Sequence, residues 1–87
     1  MMSESNLKEL KEIKNLFDAG ALERAVIFDR RQDAWNTITI GFLIKKRSMV
    51  FLRTQRSKTD IKDFKSLEAA ANTIQKIGFK EYLVKIL

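Results

Sequence analysis

The chain contains no cysteine and no histidine. Without cysteine it can form neither a disulfide nor a thiolate nucleophile, and without histidine it lacks the usual general base near neutral pH and the commonest zinc ligand. A small domain that folds without disulfides is typical of a reducing compartment. These absences exclude a disulfide scaffold and cysteine-based catalysis, and they favour a cytoplasmic location.

Long apolar runs are also absent. No stretch approaches the roughly 20 apolar residues that a membrane-spanning helix needs. Residues 1–6 are largely polar and include one acidic side chain, unlike a secretory signal. We therefore expect a soluble protein that has no membrane partner.

Proline is missing, and glycine is scarce enough for Gly20 and Gly78 to mark the ends of helices, while Gly41 marks a bulge or a close approach within its strand. Of the 87 residues, 45% are hydrophobic and 32% are charged, which is typical of a globular chain and not of a disordered one. A chain of this length forms one domain, residues 1–87.

The spacing of apolar residues predicts six elements in the order α-β-β-β-α-β. They are a helix from Ser5 to about Ala19, strands over Arg24–Arg30, Trp35–Lys45 and Met49–Thr54, a helix capped by Ser66 and closed by Gly78, and a strand over Tyr82–Leu87. Residues 55–63 read as a loop. This order predicts an α+β fold, an antiparallel sheet of three to four strands with two helices packed on one face.

The third element alternates strictly, which predicts that Ile38, Ile40, Phe42 and Ile44 share the core face of its strand. We expect the other aromatic rings to fill the same core; these are Phe28, Phe51, Phe64, Phe79 and Tyr82. Trp35 lies on the opposite face, near Arg30 and Arg31. Cross-strand packing is the favoured role for Trp35, and stacking on a nucleobase is the alternative.

The positive charge is concentrated in one segment. The whole chain carries a net charge of +6, and residues 45–65, with eight basic and two acidic side chains, account for all of it. The basic residues are Lys45, Lys46, Arg47, Arg53, Arg56, Lys58, Lys62 and Lys65. Exposed basic side chains on a hairpin tip and a loop can neutralise phosphates, but such a segment can equally be solvated surface that meets an acidic protein. Arg47, Arg53 and Arg56 suit base or bidentate phosphate contacts because a guanidinium group offers a fork of donors.

Catalytic constellations are absent from the sequence. Carboxylates pair in Glu9 with Glu12 and in Asp29 with Asp33, but no nucleophile, glycine-rich loop or set of metal ligands accompanies them. We therefore expect no enzymatic activity, no catalytic residues, no metal and no cofactor.

One segment resembles a known group of proteins. The run from Phe64 to Ala71, continued through Ile77-Gly78-Phe79 to Tyr82-Leu83-Val84, is similar to the C-terminal pattern of small accessory proteins of plasmids and integrative elements, which are partition- or replication-associated. The resemblance covers about a quarter of the chain and assigns no site residues. It implies a non-catalytic helper in replication, partition or transfer of a mobile element.

Two hypotheses of function follow. The leading one is an accessory protein that binds nucleic acid, most directly duplex DNA, through the basic residues of segment 45–65. The alternative is a protein-interaction or dimerisation module, in which the apolar strand Tyr82–Leu87 pairs with a partner's strand and the basic loop docks an acidic protein surface. The element order is also that of double-stranded-RNA-binding domains, and the strands followed by a helix resemble the arm domains of integrases. Both likenesses are analogies of fold.

Overall fold

The computed structural model describes residues 7–32, 37–44, 48–54 and 60–87. Two helices and five strands follow one another as β1 (Leu7–Lys8), α1 (Leu10–Asp18), β2 (Leu22–Arg30), β3 (Thr37–Ile44), β4 (Ser48–Leu52), α2 (Leu67–Ile77) and β5 (Leu83–Ile86). The fold is therefore α+β, as the sequence predicted. No helix in the described ranges is long and apolar enough to cross a membrane.

The strands form one sheet in the order β1-β4-β3-β2-β5. Strands β2, β3 and β4 make the predicted antiparallel meander, while β1 pairs in parallel with β4 and β5 pairs in parallel with β2. The prediction of three to four antiparallel strands was therefore wrong, because the sheet has five strands and is mixed. A strand of two residues is too short to show alternation, and the parallel pairings join segments far apart in the chain.

Strand β1 occupies residues that the sequence assigned to the first helix. Leu7 pairs with Phe51 of β4 and is 3% exposed, so its apolar side chain is buried by the sheet and not by a helix stripe. Helix α1 begins after Glu9, whose backbone N–H donates to the Glu12 carboxylate at 3.2 Å. That contact satisfies one of the free donors at a helix start.

Helix α2 has the ends that its sequence predicted. The Ser66 hydroxyl accepts a hydrogen bond from the Ala69 backbone N–H at 3.0 Å, and Gly78 terminates the helix at a φ of +130°. Phe79 then packs back against the ring of Phe17 at 4.7 Å between centroids.

The core lies between the sheet and both helices. Ile13 of α1 and Ile74 of α2 meet the inward side chains of the strands, and residues Ala25, Ile27, Ile38, Ile40, Phe42, Val50, Leu52, Ala70 and Ile77 complete the cluster. Partly buried Ile44, Phe64 and Phe79 pack against it. The predicted core face of β3 and the core roles of Phe64 and Phe79 are confirmed.

Three aromatic residues do not lie in this core. Phe28 and Phe51 have the opposite parity to Ile27 and Leu52, so they project from the other face of the sheet, and Tyr82 is 37% exposed. Their predicted core positions were wrong. Phe28 lies on β2, which is apolar on both faces, so alternation alone did not choose a side; Phe51 pairs with Gly41, whose parity is opposite to that of Phe42; and Tyr82 precedes β5 at the edge of the sheet. We call this second face, over which no described helix packs, the open face.

Candidate nucleic-acid interface

Five of the eight predicted contact residues lie outside the part of the chain that the structure describes; these are Lys45, Lys46, Arg47, Arg56 and Lys58. Trp35 and Asp33 lie outside it as well. The structure describes the other three predicted residues, Arg53, Lys62 and Lys65, and it also describes Ile44, Ser48, Thr54 and Asp60, which adjoin segments 45–47 and 55–59.

Arg53 is engaged with the protein itself. Its guanidinium lies 3.6 Å from carboxylate oxygens of both Glu9 and Glu12, and it donates to the Thr54 carbonyl at 3.2 Å. Only 15% of its side chain is exposed. Arg53 therefore joins the end of β4 to the start of α1, and the carboxylate pair that the sequence offered for acid–base chemistry is its partner.

Lys62 and Lys65 are exposed side chains on a fixed backbone. The Lys62 N–H donates to the Leu52 carbonyl at 2.8 Å, and the Phe64 N–H donates to the Ile38 carbonyl at 2.8 Å. Asp63 accepts from the Ile38 N–H at 3.0 Å. Segment 60–64 is thus held across the ends of β3 and β4, and the Lys62 ammonium lies 5.8 Å from the centroid of the Phe64 ring.

Strand β4 lies within the basic segment, so the parts of the segment before and after β4 are attached to its opposite ends. Residues 45–47 join Ile44 to Ser48 at one end, and residues 55–59 join Thr54 to Asp60 at the other. At about 3.3 Å per residue, positions 48 and 54 lie roughly 20 Å apart. Strand β4 therefore divides the eight basic residues along the chain into two groups, one before it and one after it.

The open face includes β4, the strand that separates these two groups along the chain. The Phe28 and Phe51 rings pack on it with centroids 5.7 Å apart, one on each side of Gly41. A Cβ atom at Gly41 would lie 2.9 Å from both the Met49 sulfur and the Phe28 ring. Gly41 is therefore needed for the close approach of these side chains, and the predicted role of this glycine in a close approach is confirmed.

Three cations that the sequence analysis did not select flank this aromatic pair. Arg24 and Arg30 share the parity of Phe28 on β2, and Lys85 of β5 is its ladder partner. Within strands β2 to β5, the positions that alternate onto this face carry no carboxylate; Glu23 falls at the bulge between Leu22 and Arg24, and Glu81, which shares the parity of Lys85, precedes β5. The signal was present in the β2 alternation of Arg24, Val26, Phe28 and Arg30, but counting charge along the chain hid it.

Asp29 lies on the helix face of β2, opposite the open face, and forms an ion pair with Arg31. It is 5% exposed, and its carboxylate accepts from Arg31 Nε at 2.9 Å and from Arg31 Nη2 at 2.8 Å. The hydrogen bonds from the Arg31 side chain and backbone hold the pKa of the Asp29 carboxyl below its usual value. The Asp29–Arg31 pair lies at the end of β2. Because its pKa is lowered, Asp29 is unsuited to proton transfer near neutral pH.

Metal ligation has no support among the residues described. No group of three or more acidic side chains in those ranges is close enough to hold a metal ion. Each of the described carboxylates discussed above has a structural partner. Glu9 and Glu12 pair with Arg53, Asp29 pairs with Arg31, and Asp63 accepts a hydrogen bond from the β3 backbone.

The chain matches no protein-family model, no curated protein and no solved structure. The resemblance to accessory proteins of mobile elements therefore stays a prediction.

Proposed function

We propose that this protein is a non-catalytic accessory protein that binds nucleic acid along the open face of its sheet. The observation that carries the proposal is the arrangement of cations on that face: Arg24, Arg30 and Lys85 lie on it beside the Phe28–Phe51 pair, and the chain continues from the two ends of β4 into the two basic groups. A surface of one charge with interleaved aromatic rings suits a polyanion that carries flat bases.

The length of the surface favours an extended ligand. A strand of nucleic acid places one phosphate about every 3.4 Å, so the roughly 20 Å between the ends of β4 corresponds to about six phosphates. A compact anion would contact only one of the two basic groups. A polyanion lying along the sheet contacts both, together with the cations between them.

Duplex DNA is the first candidate ligand. Phosphate contacts from both ends of the sheet would hold a duplex in a fixed orientation without reading its sequence. In this arrangement Lys62 and Lys65 contribute as exposed point charges and Arg53 contributes through the fold. The setting that we propose, replication, partition or transfer of a mobile element, is tested by whether the gene lies beside a partition or conjugation operon.

Single-stranded nucleic acid is the second candidate, and the Phe28–Phe51 pair favours it. Both rings are only partly buried and lie between cations, as in surfaces where successive bases stack on aromatic side chains. Stacking needs unpaired bases, so this candidate and the first differ in which residues contribute to affinity.

The experiment is fluorescence anisotropy of labelled duplex DNA, duplex RNA and single-stranded DNA, each titrated with the protein at two salt concentrations. We expect micromolar or tighter binding that weakens steeply with salt, because phosphate neutralisation releases counterions. The ligand that is bound most tightly identifies the class. Absence of binding to all three at low salt would contradict the proposal.

A pair of charge-reversal variants tests the surface. Lys46→Glu with Arg47→Glu should weaken binding at least tenfold and leave the folded far-UV spectrum unchanged. The matched control is Lys11→Glu with Lys76→Glu, which makes the same change of net charge on the exposed faces of α1 and α2. Equal weakening by both pairs would show that only overall charge matters, and the assignment of phosphate contacts to Lys46 and Arg47 would be wrong.

A further inference from the structure

Strand β5 exposes apolar side chains on both faces at the edge of the sheet. Leu83 is 50% exposed and Leu87 47% on the open face, while Val84 is 44% exposed and Ile86 66% on the helix face. The opposite edge differs, because Leu7 of β1 is 3% exposed. An apolar edge strand is a template for pairing with another strand.

The backbone of β5 shows which groups this edge offers. The Leu87 N–H donates to the Asp29 carbonyl at 2.9 Å, so the backbone groups of residues 83, 85 and 87 point toward β2. By alternation, those of residues 82, 84 and 86 point outward. No described residue pairs with that side of the strand.

We propose that β5 pairs with β5 of a second copy of this chain, antiparallel and about a two-fold axis at Leu83. Leu83 then lies opposite Leu83 of the second copy. On the same face, Lys85 of each copy lies opposite Glu81 of the other copy, so the dimer contains two such pairs, one on each side of the axis. On the other face, Val84 lies opposite Tyr82, an aromatic and β-branched pair of the kind that stabilises antiparallel strands.

The choice of partner follows from the symmetry of the segment. Glu81 and Lys85 are equally distant from Leu83 in sequence, so the segment is complementary in charge to its own reverse. An axis at Lys85 would place two ammonium groups together. An axis at Val84 would oppose each charge to a leucine. Of these axes, only the one at Leu83 opposes Glu81 to Lys85, with Lys80 opposite Ile86, and it also opposes the outward-pointing residues 82 and 84, as hydrogen bonding requires.

The two-fold axis is perpendicular to the sheet in this register. Residues of equal parity face each other, so the helix layers of both copies lie on one side and the two open faces join on the other. The dimer thereby becomes a continuous sheet. The proposed dimer does not depend on the proposed function, since β5 can pair with its copy whether or not the open face binds nucleic acid.

Cysteine crosslinking tests the register, because the chain has no cysteine of its own. Opposed residues that are not hydrogen-bonded to each other have Cα atoms about 4.5 Å apart, within the range that a disulfide spans. We expect Leu83→Cys to form a disulfide-linked dimer under mild oxidation. Leu87→Cys is the matched control, with similar exposure and the same face. Its copies would lie about 26 Å apart, eight residues of strand, and should not crosslink. Crosslinking of both variants alike, or of neither, would overturn the proposal.

A charge exchange tests the partner. Lys85→Glu alone and Glu81→Lys alone should each raise the dimer dissociation constant roughly tenfold, measured by sedimentation equilibrium, because each replaces two attractive pairs with two repulsive ones. The double variant should return to within about threefold of the original value. Unchanged dissociation constants in the single variants, no recovery in the double variant, or an original chain that stays monomeric at high concentration would each overturn the proposal.

Discussion

At the scale of single residues, exposure separates structural cations from those available to a ligand. Arg53 is mostly buried and ion-paired to Glu9 and Glu12, whereas Lys62 and Lys65 are exposed. Basic residues of one segment thus have different roles, which depend on their neighbours in the fold. The sequence could not separate them, because the partners of Arg53 lie more than 40 residues earlier in the chain.

We predict that Arg53→Gln destabilises the protein, and that the same change at Lys62 or Lys65 weakens nucleic-acid binding instead. Loss of the partly screened ion pairs of Arg53 should cost about 1 kcal/mol and lower the melting temperature by roughly 4–8 °C. Lys62→Gln and Lys65→Gln should leave the melting temperature within about 2 °C and each reduce the salt dependence of binding by about one counterion. Thermal melts and salt titrations of the three variants measure this. Loss of affinity without loss of stability in Arg53→Gln would contradict the structural role.

Asp29 predicts a pH dependence of stability. Its folded-state pKa lies below the ordinary value of 3.8, so its contribution is complete above that value and is lost as the pH falls through the folded-state pKa. Asp29→Asn should therefore melt at a lower temperature than the original chain at pH 6. The difference should shrink as the pH falls through the folded-state pKa, because protonation makes the Asp29 side chain neutral like asparagine. Melting curves between about pH 2 and pH 6 test this, and a difference that is constant over the range would show that the charge of Asp29 is irrelevant.

At the scale of elements, local signals predicted the parts that local chemistry determines. Ser66 and Gly78 define α2 because a cap and a left-handed residue act within one helical turn. Strand β1 escaped prediction because Leu7 fits a helix stripe and a sheet equally well, and only pairing with the distant β4 decides between them. The place of β5 beside β2 follows from the whole sheet and from no local pattern.

The end of α2 gives a prediction at this scale. Gly78 has a φ of +130°, and a Cβ atom there would clash with the ring of Phe17. Gly78→Ala should cost roughly 2–4 kcal/mol, from backbone strain together with displacement of the ring. Gly20→Ala is the control, since its φ is +75° but nothing lies within 4 Å of the added atom, and it should cost only about 1–2 kcal/mol. Urea unfolding of both variants measures the difference. Equal costs would mean that the contact with Phe17 contributes nothing.

At the scale of the whole molecule, the sheet sorts charge that the sequence mixes. Outside segment 45–65 basic and acidic residues balance in number, yet Arg24, Arg30 and Lys85 share one face while Asp29 lies on the other. The sequence therefore predicted the basic segment but not the surface that connects its two ends. Alternation along β2 groups Arg24 with Phe28 and Arg30, but the face that meets the core could not be chosen, because Val26 and Phe28 are as apolar as Ala25 and Ile27. The structure resolves this: small Ala25 lies beneath the helices, and the larger Phe28 ring lies against Gly41.

This sorting predicts how the two nucleic-acid ligands can be told apart. Phe28→Leu and Phe51→Leu remove a stacking ring but keep an apolar side chain of similar volume on the open face. Each should weaken binding of single-stranded DNA by roughly 5- to 100-fold, the range expected for one stacked base, and leave duplex DNA affinity within about twofold. Duplex binding depends on phosphate contacts, and these substitutions do not alter the charge.

The matched control for this prediction is Met49→Leu, which changes a neighbour of the same glycine without removing an aromatic ring. It should leave both affinities unchanged. If Phe28→Leu and Met49→Leu weaken single-stranded DNA equally, the rings act through packing of the sheet and not through stacking. If Phe28→Leu weakens duplex and single-stranded DNA alike while the melting temperature is unchanged, the ring contacts a feature that the two ligands share. In both cases the aromatic pair would not distinguish unpaired bases, and the cations around it would be the whole of the recognition surface.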